Sequence, residues 1–388
     1  MRDKPRRGDL FPTDQPVASG EMIGRASDVE RLARALEAGQ SLRILAPRRT
    51  GKTTVCDATL ERLRERGWYT ASVDLMHATG AAGLAQGIAR AMIANRPLIH
   101  RALAGVPDAW EKVSDVVRAQ MTVDLGEGVS VAFGPKGATR DPDAALTKAL
   151  ELPQRIAQKD GKPVALLFDE LQELAAPAAP FGDPGCLQAR MRAIFQRSSQ
   201  VGILFAGSRE HAMRQVFQPN APLGGFGGSF ELSPITAEEW HAGLAARFER
   251  AEIGADDALL ARLVELGDGH PRATMLIAAE AYTCTRELEA TRLEPVTVEL
   301  AWERARSHDA ERCRLLIERM RRLRVARGAD LALRVAKSVA AGQPPYSVGA
   351  HAEQVRRVLD ELSDIGAVEQ RSARIWHVPD PILRAYLA

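Results

Sequence analysis

The chain has 388 residues, 45% of them hydrophobic and 26% charged, with a formal net charge of +2. That length exceeds one ordinary domain and predicts two or three, and the near-average composition can bury a full core. No apolar run approaches the roughly 18 residues of a membrane span, and the opening MRDKPRRGDL lacks a signal peptide's apolar region. A soluble cytoplasmic protein with no membrane partner is therefore expected. Cys56, Cys186, Cys284 and Cys313 lie far apart and outside any C-x-x-C pair, and no two of the eight histidines are spaced as ligands on one helix. Neither a disulfide framework nor a zinc site is suggested. Residues 301–340 carry eleven Lys/Arg against five Asp/Glu, a net of +6 that leaves −4 for the rest. A local basic surface follows, and not a generally nucleic-acid-coated protein.

Residues 1–20 are polar and hold Pro5, Pro12 and Pro16, which reads as a mobile tail. From 21 to 235, apolar runs alternate with helical segments. The expected strands are Leu42–Ala46, Tyr69–Leu75, Val164–Asp169, Val201–Ala206 and Ser229–Leu232. Such alternation, with runs apolar throughout, is the pattern of an α/β domain whose parallel sheet has helices on both faces. Between the second and third runs, the period-two stretch 121–133, with Gly126 and Gly128 at its centre, predicts an inserted hairpin. The stretch 220–229 has four glycines in ten residues and predicts a mobile loop. Residues 236–308 read as a small helical domain, broken at Gly254 and Gly267. Residues 309–388 read as three helices followed by a hairpin, Ala367–Arg371 and Arg374–Val378, which is the order of a winged helix.

The first expected strand runs into Ala46-Pro47-Arg48-Arg49-Thr50-Gly51-Lys52-Thr53-Thr54, and a helix follows. In a phosphate-binding loop, successive backbone N–H groups curl around an anion at the positive end of a helix. Lys52 fits the cation for the β/γ-phosphates and Thr53 the hydroxyl that holds Mg2+. Gly51 lets the backbone approach the phosphates, and small Ala46 is tolerable at the first position. Arg48 and Arg49 project outward, either solvated or in contact with phosphate or a partner. A strand-end acid should anchor Mg2+ through water, and Val164-Ala-Leu-Leu-Phe-Asp169-Glu170 supplies Asp169. Glu170 follows, placed to orient and deprotonate the attacking water. Ser208, after the next strand, falls beside the γ-phosphate, with an ordinary strand-ending serine as its alternative.

Together these residues resemble the AAA+ and STAND classes of P-loop ATPases, most of all the prokaryotic "archaeal ATPase" family and more distantly archaeal origin-recognition initiators. The resemblance runs from about Met22 to Tyr386. It implies ATP and Mg2+ as cofactors and a five-stranded sheet in the order 5-1-4-3-2, with a helical lid and a C-terminal winged helix. Met22-Ile23-Gly24-Arg25 is similar to the Gly-Arg box whose backbone lines the adenine. Gly267-Asp-Gly-His-Pro271-Arg272 resembles the second-sensor motif of the lid, with Arg272 reaching the γ-phosphate. Val378-Pro-Asp380-Pro381 resembles the ending of the family's winged helix. One departure stands out: no arginine occurs between Gln215 and Leu232, where the family often carries one that completes a neighbouring subunit's site. Arg209 or Arg214 are the substitutes at hand; otherwise hydrolysis is slow or a partner supplies the charge.

The expected function is an ATP-binding and ATP-hydrolysing switch that couples nucleotide state to duplex DNA, a protein partner or a further copy of itself. Arg319, Arg321 and Arg322, then Arg356 and Arg357, then Arg371 and Arg374 at the wing tip are the candidate DNA contacts. The alternative is a signalling or defence ATPase whose winged helix binds protein and no nucleic acid. A kinase or transferase reading lacks any recognisable acceptor site.

Overall fold

The computed structural model describes residues 6–13, 17–46, 49–94, 121–124, 130–133, 141–175, 183–323, 330–372 and 375–388. Pro47, Arg48 and Arg374 lie outside them, as does the tip of the inserted hairpin.

The first part runs α1 (Arg7–Leu10), α2 (Ala26–Glu37), β1 (Leu42–Leu45), α3 (Lys52–Glu65), β2 (Tyr69–Asp74), α4 (Ala81–Ala94), β3 (Met121–Asp124) and β4 (Ser130–Phe133). It continues with α5 (Pro142–Asp160), β5 (Val164–Asp169), α6 (Pro184–Phe195), β6 (Val201–Gly207), α7 (Glu210–Val216) and β7 (Gly228–Phe230). The sheet order is β2-β5-β6-β1-β7 with every pair parallel. Numbered within this sheet alone, that is 2-3-4-1-5, the expected order read from its other edge. β3 and β4 pair antiparallel as a separate hairpin.

The central strands β5 and β6 are apolar along nearly their whole length because both faces are covered. Side chains alternate across a strand. Leu166, Phe168, Ile203 and Phe205 therefore join one core with α4, α5 and α6. Ala165, Leu167, Leu204 and Ala206 join the opposite core with α2 and α3. All the strand C-termini emerge at one edge, where an α/β sheet carries its ligands.

Two expectations are corrected here. Leu10 and Phe11 are 0% and 1% exposed, and the Phe11 ring lies 5.1 Å from Phe248 and 5.8 Å from Tyr282. Two adjacent apolar residues suffice to dock this part of the tail, despite its polar surroundings. The glycine-rich segment is a set of packed turns and no open loop: Leu223 is fully buried and Phe226 nearly so. Arg192 Nη1 donates to the carbonyls of Pro222 (2.9 Å) and Gly224 (2.6 Å), closing the turns from below.

The second part holds α8 (Ala237–Arg250), α9 (Asp257–Leu266), α10 (Pro271–Glu287), α11 (Pro295–His308), α12 (Ala310–Arg321), α13 (Leu331–Ala340) and α14 (Ala352–Asp364), then β8 (Glu369–Ser372), β9 (Ile375–His377) and α15 (Pro381–Leu387). Thr236 and Glu239 close a capping box that starts α8. Helices α12 to α14 followed by the antiparallel pair β8–β9 reproduce the helix, helix, helix, wing order. One continuous hydrophobic core links α8 to α15, Leu10 and Phe11 included, so lid and C-terminal region are packed as one body.

Candidate phosphate-binding site

Between β1 and α3 the chain must turn from sheet to helix. Gly51 does so at φ 87° and Arg49 at φ 68°, the left-handed region that costs an L-residue roughly 1–2 kcal/mol. No side chain caps α3, so the N–H groups of its first turn face the cavity in front of the sheet with the positive end of the helix dipole. Lys52 is 5% exposed, and its ammonium lies 3.0 Å from Asp169 Oδ1 and 3.8 Å from Glu170 Oε1. Thr53 Oγ1 donates to Asp169 Oδ2 at 3.5 Å. Hydroxyl and carboxylate thus present adjacent hard oxygens, a donor set that fits Mg2+ completed by phosphate oxygens and water.

Asp169 ends β5, and the chain turns at once: Glu170 sits at φ 53°. Ser208, just past β6, donates from Oγ to Glu170 Oε2 at 2.8 Å, and Gln172 Nε2 donates to the same oxygen. Neighbouring parallel strands bring the two residues together, and the pair of donors orients the carboxylate.

The resemblance gives Arg25 a role through its backbone; the structure shows its side chain engaged. Its side chain is 7% exposed; Nη1 donates to Ser233 O at 2.6 Å and Nη2 to Thr50 O at 3.1 Å. It therefore braces the phosphate loop from behind. Ile23, Ile235, Trp240, Pro271 and Met275 line a small apolar pocket of about 70 Å³ beside Gly51 and Thr54. Gly24 lies at φ 63° against Ile235 and Glu239, where a Cβ would come within 3.0 Å.

Pro271 and Arg272 open α10, capped by His270, whose Nδ1 accepts from Ala273 N at 3.2 Å. Arg272 binds Asp309 in a two-bond fork, Nη1 to Oδ2 at 2.6 Å and Nη2 to Oδ1 at 2.8 Å. Arg312 joins Asp309 to Asp380, its Nη2 lying 2.6 Å from each. Burial alone would raise the Asp309 pKa, but hydrogen bonds from Arg272 and Arg312 outweigh it and hold the group at about 2. Burial first, with help from the neighbouring arginines, lowers His270 to about 4 against the pull of Asp380. Asp309 and Arg312 carry no motif signal; His270 and Asp380 stand in stretches the sequence marks out.

A cavity of about 660 Å³ collects Lys52, Thr53, Glu170 and Ser208 from the sheet, Arg272 from the helical region, and Arg319 from α12. Arg49, Gly51, Thr54 and Pro271 line it too. Arg319, a candidate DNA contact in the sequence, also borders this cavity. Of the other candidate DNA contacts, Arg321, Arg322, Arg356 and Arg357 are exposed, with Arg357 paired to Glu353, and Arg371 lies on β8. Arg209 is held by Glu173 at 2.6 Å, and Arg214 borders a different cavity, of about 630 Å³, with Arg43 and Phe217. The end of α14 rests on α7: Ala212 N donates to Asp364 Oδ1 at 3.3 Å, and His211 lies 3.6 Å from Asp360. Among the described residues no helix is long and apolar enough to cross a membrane.

No protein-family profile matches the chain, and no curated protein matches its sequence. Solved structures match its fold over nearly the whole length. A Walker-type ATPase of Pyrococcus abyssi superposes with TM-score 0.67 at 16% identity, covering 97% of this chain and 99% of that one. The Aeropyrum pernix ORC2 protein, solved in ADPNP–ADP complexes, gives 0.58 at 16% identity and 98% and 95% coverage. The ORC1 protein of the same organism, solved with DNA, gives 0.51 at 17% identity and 100% and 97% coverage. At such identities the likeness establishes architecture: a P-loop NTPase fold of the AAA+ type, its five-stranded parallel sheet extended by C-terminal helical regions.

Proposed function

We propose that this chain binds ATP with Mg2+, hydrolyses the β–γ phosphoanhydride slowly, and works as a switch of the AAA+/STAND type whose winged helix couples nucleotide state to duplex DNA. The observation that carries the reading is the convergence of Lys52, Thr53, Asp169, Glu170 and Ser208 at the ends of β1, β5 and β6. Lys52 and the loop N–H groups hold the phosphates, and Thr53 and Asp169 are the residues for Mg2+, which neutralises phosphate charge when bound. Glu170 takes the proton of the attacking water, while Ser208 and Arg272 respond to the γ-phosphate. Residues 21–235 form the ATPase domain in this reading, 236–308 the lid and 309–388 the winged helix. DNA as partner is supported by the DNA-bound ORC1 neighbour and by the surplus of positive charge at 301–340.

A second reading, a winged helix that binds protein and no nucleic acid, is favoured by the α14–α7 contact, in which Asp360 and Asp364 already face another part of the chain. Nucleotide titration tests the chemistry. Lys52→Ala should bind ATP at least about a hundredfold more weakly, and Glu170→Gln should bind ATP normally and retain it unhydrolysed. Wild-type turnover by Glu170→Gln refutes the assigned base. Retention of the wild type on duplex DNA should fall steeply with salt; no retention at low salt leaves the protein-binding reading.

A further inference from the structure

Five cations line the cavity: Lys52, Arg49, Arg272, Arg312 and Arg319. Lys52 is answered by Asp169, and Arg272 and Arg312 by Asp309 and Asp380. Arg319 has no hydrogen bond, ion pair or ring contact among the described residues, although α12 offers pairing elsewhere. Arg314 on that helix, for instance, takes Glu311 at 2.7 Å. Arg49 lies beside it, its pKa lowered first by desolvation and then by the like charges of Arg312 and Arg272, against the pull of Asp309 and Asp380.

The placement of Arg319 is not an accident of an exposed helix. Arg312, Leu315, Leu316 and Arg319 fall at i, i+3, i+4 and i+7, one face of α12, and all four line the cavity opposite Glu170 and Ser208. Met320 and Cys313, on the adjoining face, are fully buried in the shared core and fix the helix's rotation. A cationic face locked toward the phosphate loop, with its outermost charge unpaired, suits a polyphosphate whose own charge exceeds what Lys52 neutralises.

Resting on the ATPase reading, we infer that Arg319, seconded by Arg49, contacts the terminal phosphate from within the same chain and takes the part of the arginine missing between Gln215 and Leu232. Water oxygen bonds to the γ-phosphorus as the bond from that phosphorus to the β–γ bridging oxygen breaks. The water proton passes to Glu170, and the electron pair stays on ADP. Arg319 stabilises the charge spread over the phosphoryl oxygens as this happens.

The test measures single-turnover hydrolysis and the ATP and ADP affinities of wild type, Arg319→Ala, Arg319→Lys and Lys52→Ala, with thermal melting as the folding control. Arg319→Ala should slow hydrolysis about a hundredfold or more while leaving ADP affinity within about twofold, and Arg319→Lys should recover part of the rate. The wild-type rate per molecule should not depend on protein concentration, and mixing Arg319→Ala with Glu170→Gln should restore nothing, because the arginine acts within its own chain. Wild-type hydrolysis by Arg319→Ala, with Lys52→Ala still defective in ATP binding, overturns the inference and leaves the ATPase reading intact. Complementation in the mixture overturns it in favour of an arginine from another copy. A wild type that binds no ATP overturns both.

Discussion

Asp309 holds two arginines at the junction of α11 and α12, and its loss should be felt by the whole second part of the chain. The side chain is 3% exposed and accepts from Arg272 and Arg312. Its folded pKa of about 2, against an ordinary 3.8, is worth about 2–3 kcal/mol at 1.36 kcal/mol per unit. Because the folded value lies below the unfolded one, that contribution is complete above pH 3.8 and is lost as pH falls through about 2. Asp309→Asn keeps the shape and deletes the charge, so about 2–3 kcal/mol should vanish at pH 7. Asp309→Ala also strands two guanidinium groups and should cost about 3–5 kcal/mol. Urea unfolding followed by fluorescence reads this directly, since Trp240 and Trp302 both belong to the affected core. The gap between wild type and Asp309→Asn should narrow as pH is lowered from 4 toward 2. Equal midpoints at pH 7, or a gap that widens toward acid, would refute the reasoning.

Phe11→Ala should cost about 3–5 kcal/mol at a site packed by Phe248 and Tyr282. It should expose Arg6 and Arg7 to trypsin; unchanged cleavage counts against a docked tail. His270 titrates near 4 in the fold and near 6.5 when free, so stability should be full above pH 6.5 and fall by up to about 3 kcal/mol as pH drops through 4. His270→Asn, which can still cap α10, should flatten that dependence, and an unaltered pH profile would show that another group is responsible. Reversing Arg371 and Arg374 to Glu should weaken duplex binding equally for all sequences and flatten its salt slope without altering ATP turnover. A sequence-dependent loss would point to base contacts.

The sheet and its phosphate loop are legible because both are local. Val164–Phe168 is apolar at every position, which only a strand covered on two faces requires, and Gly51-Lys52-Thr53 stands where a strand meets a helix. What escaped the sequence depends on pairings across long separations. Nothing near Arg272 announces Asp309, 37 residues on, and nothing near Arg312 announces Asp380, 68 residues on. Arg25 looks like a backbone marker because its shortest side-chain bonds go to the carbonyls of Ser233 and Thr50, and carbonyls are anonymous in a sequence. The glycine-rich turns misled for a related reason. Glycine frees the backbone, but Leu223, Phe226 and Arg192 decide whether that freedom is used.

Two of the cations placed for phosphate are held by carboxylates of the same chain, and the two cases differ in consequence. Lys52 can exchange Asp169 for phosphate oxygens while Asp169 stays beside Thr53, where Mg2+ is to be held. Buried ion pairs return little more than their desolvation cost, so such an exchange is not prohibitive. Arg272 is different, because Asp309 lies between α11 and α12 and remains tied through Arg312 to Asp380 at the start of α15. Drawing Arg272 toward a γ-phosphate therefore removes one arm of the clamp at the junction itself. In the proposed switch ATP would do this and ADP would not, which is the differential contact it requires. From α8 to α15 the core is continuous, so the strain cannot be absorbed by loose packing inside that body. It falls instead on polar contacts of the body with the sheet domain, His211 with Asp360 and Ala212 with Asp364, where few bonds need to break. On the proposed reading, release there would free α14, the helix that carries Arg356 and Arg357, and so would join nucleotide state to the surface proposed to meet a partner.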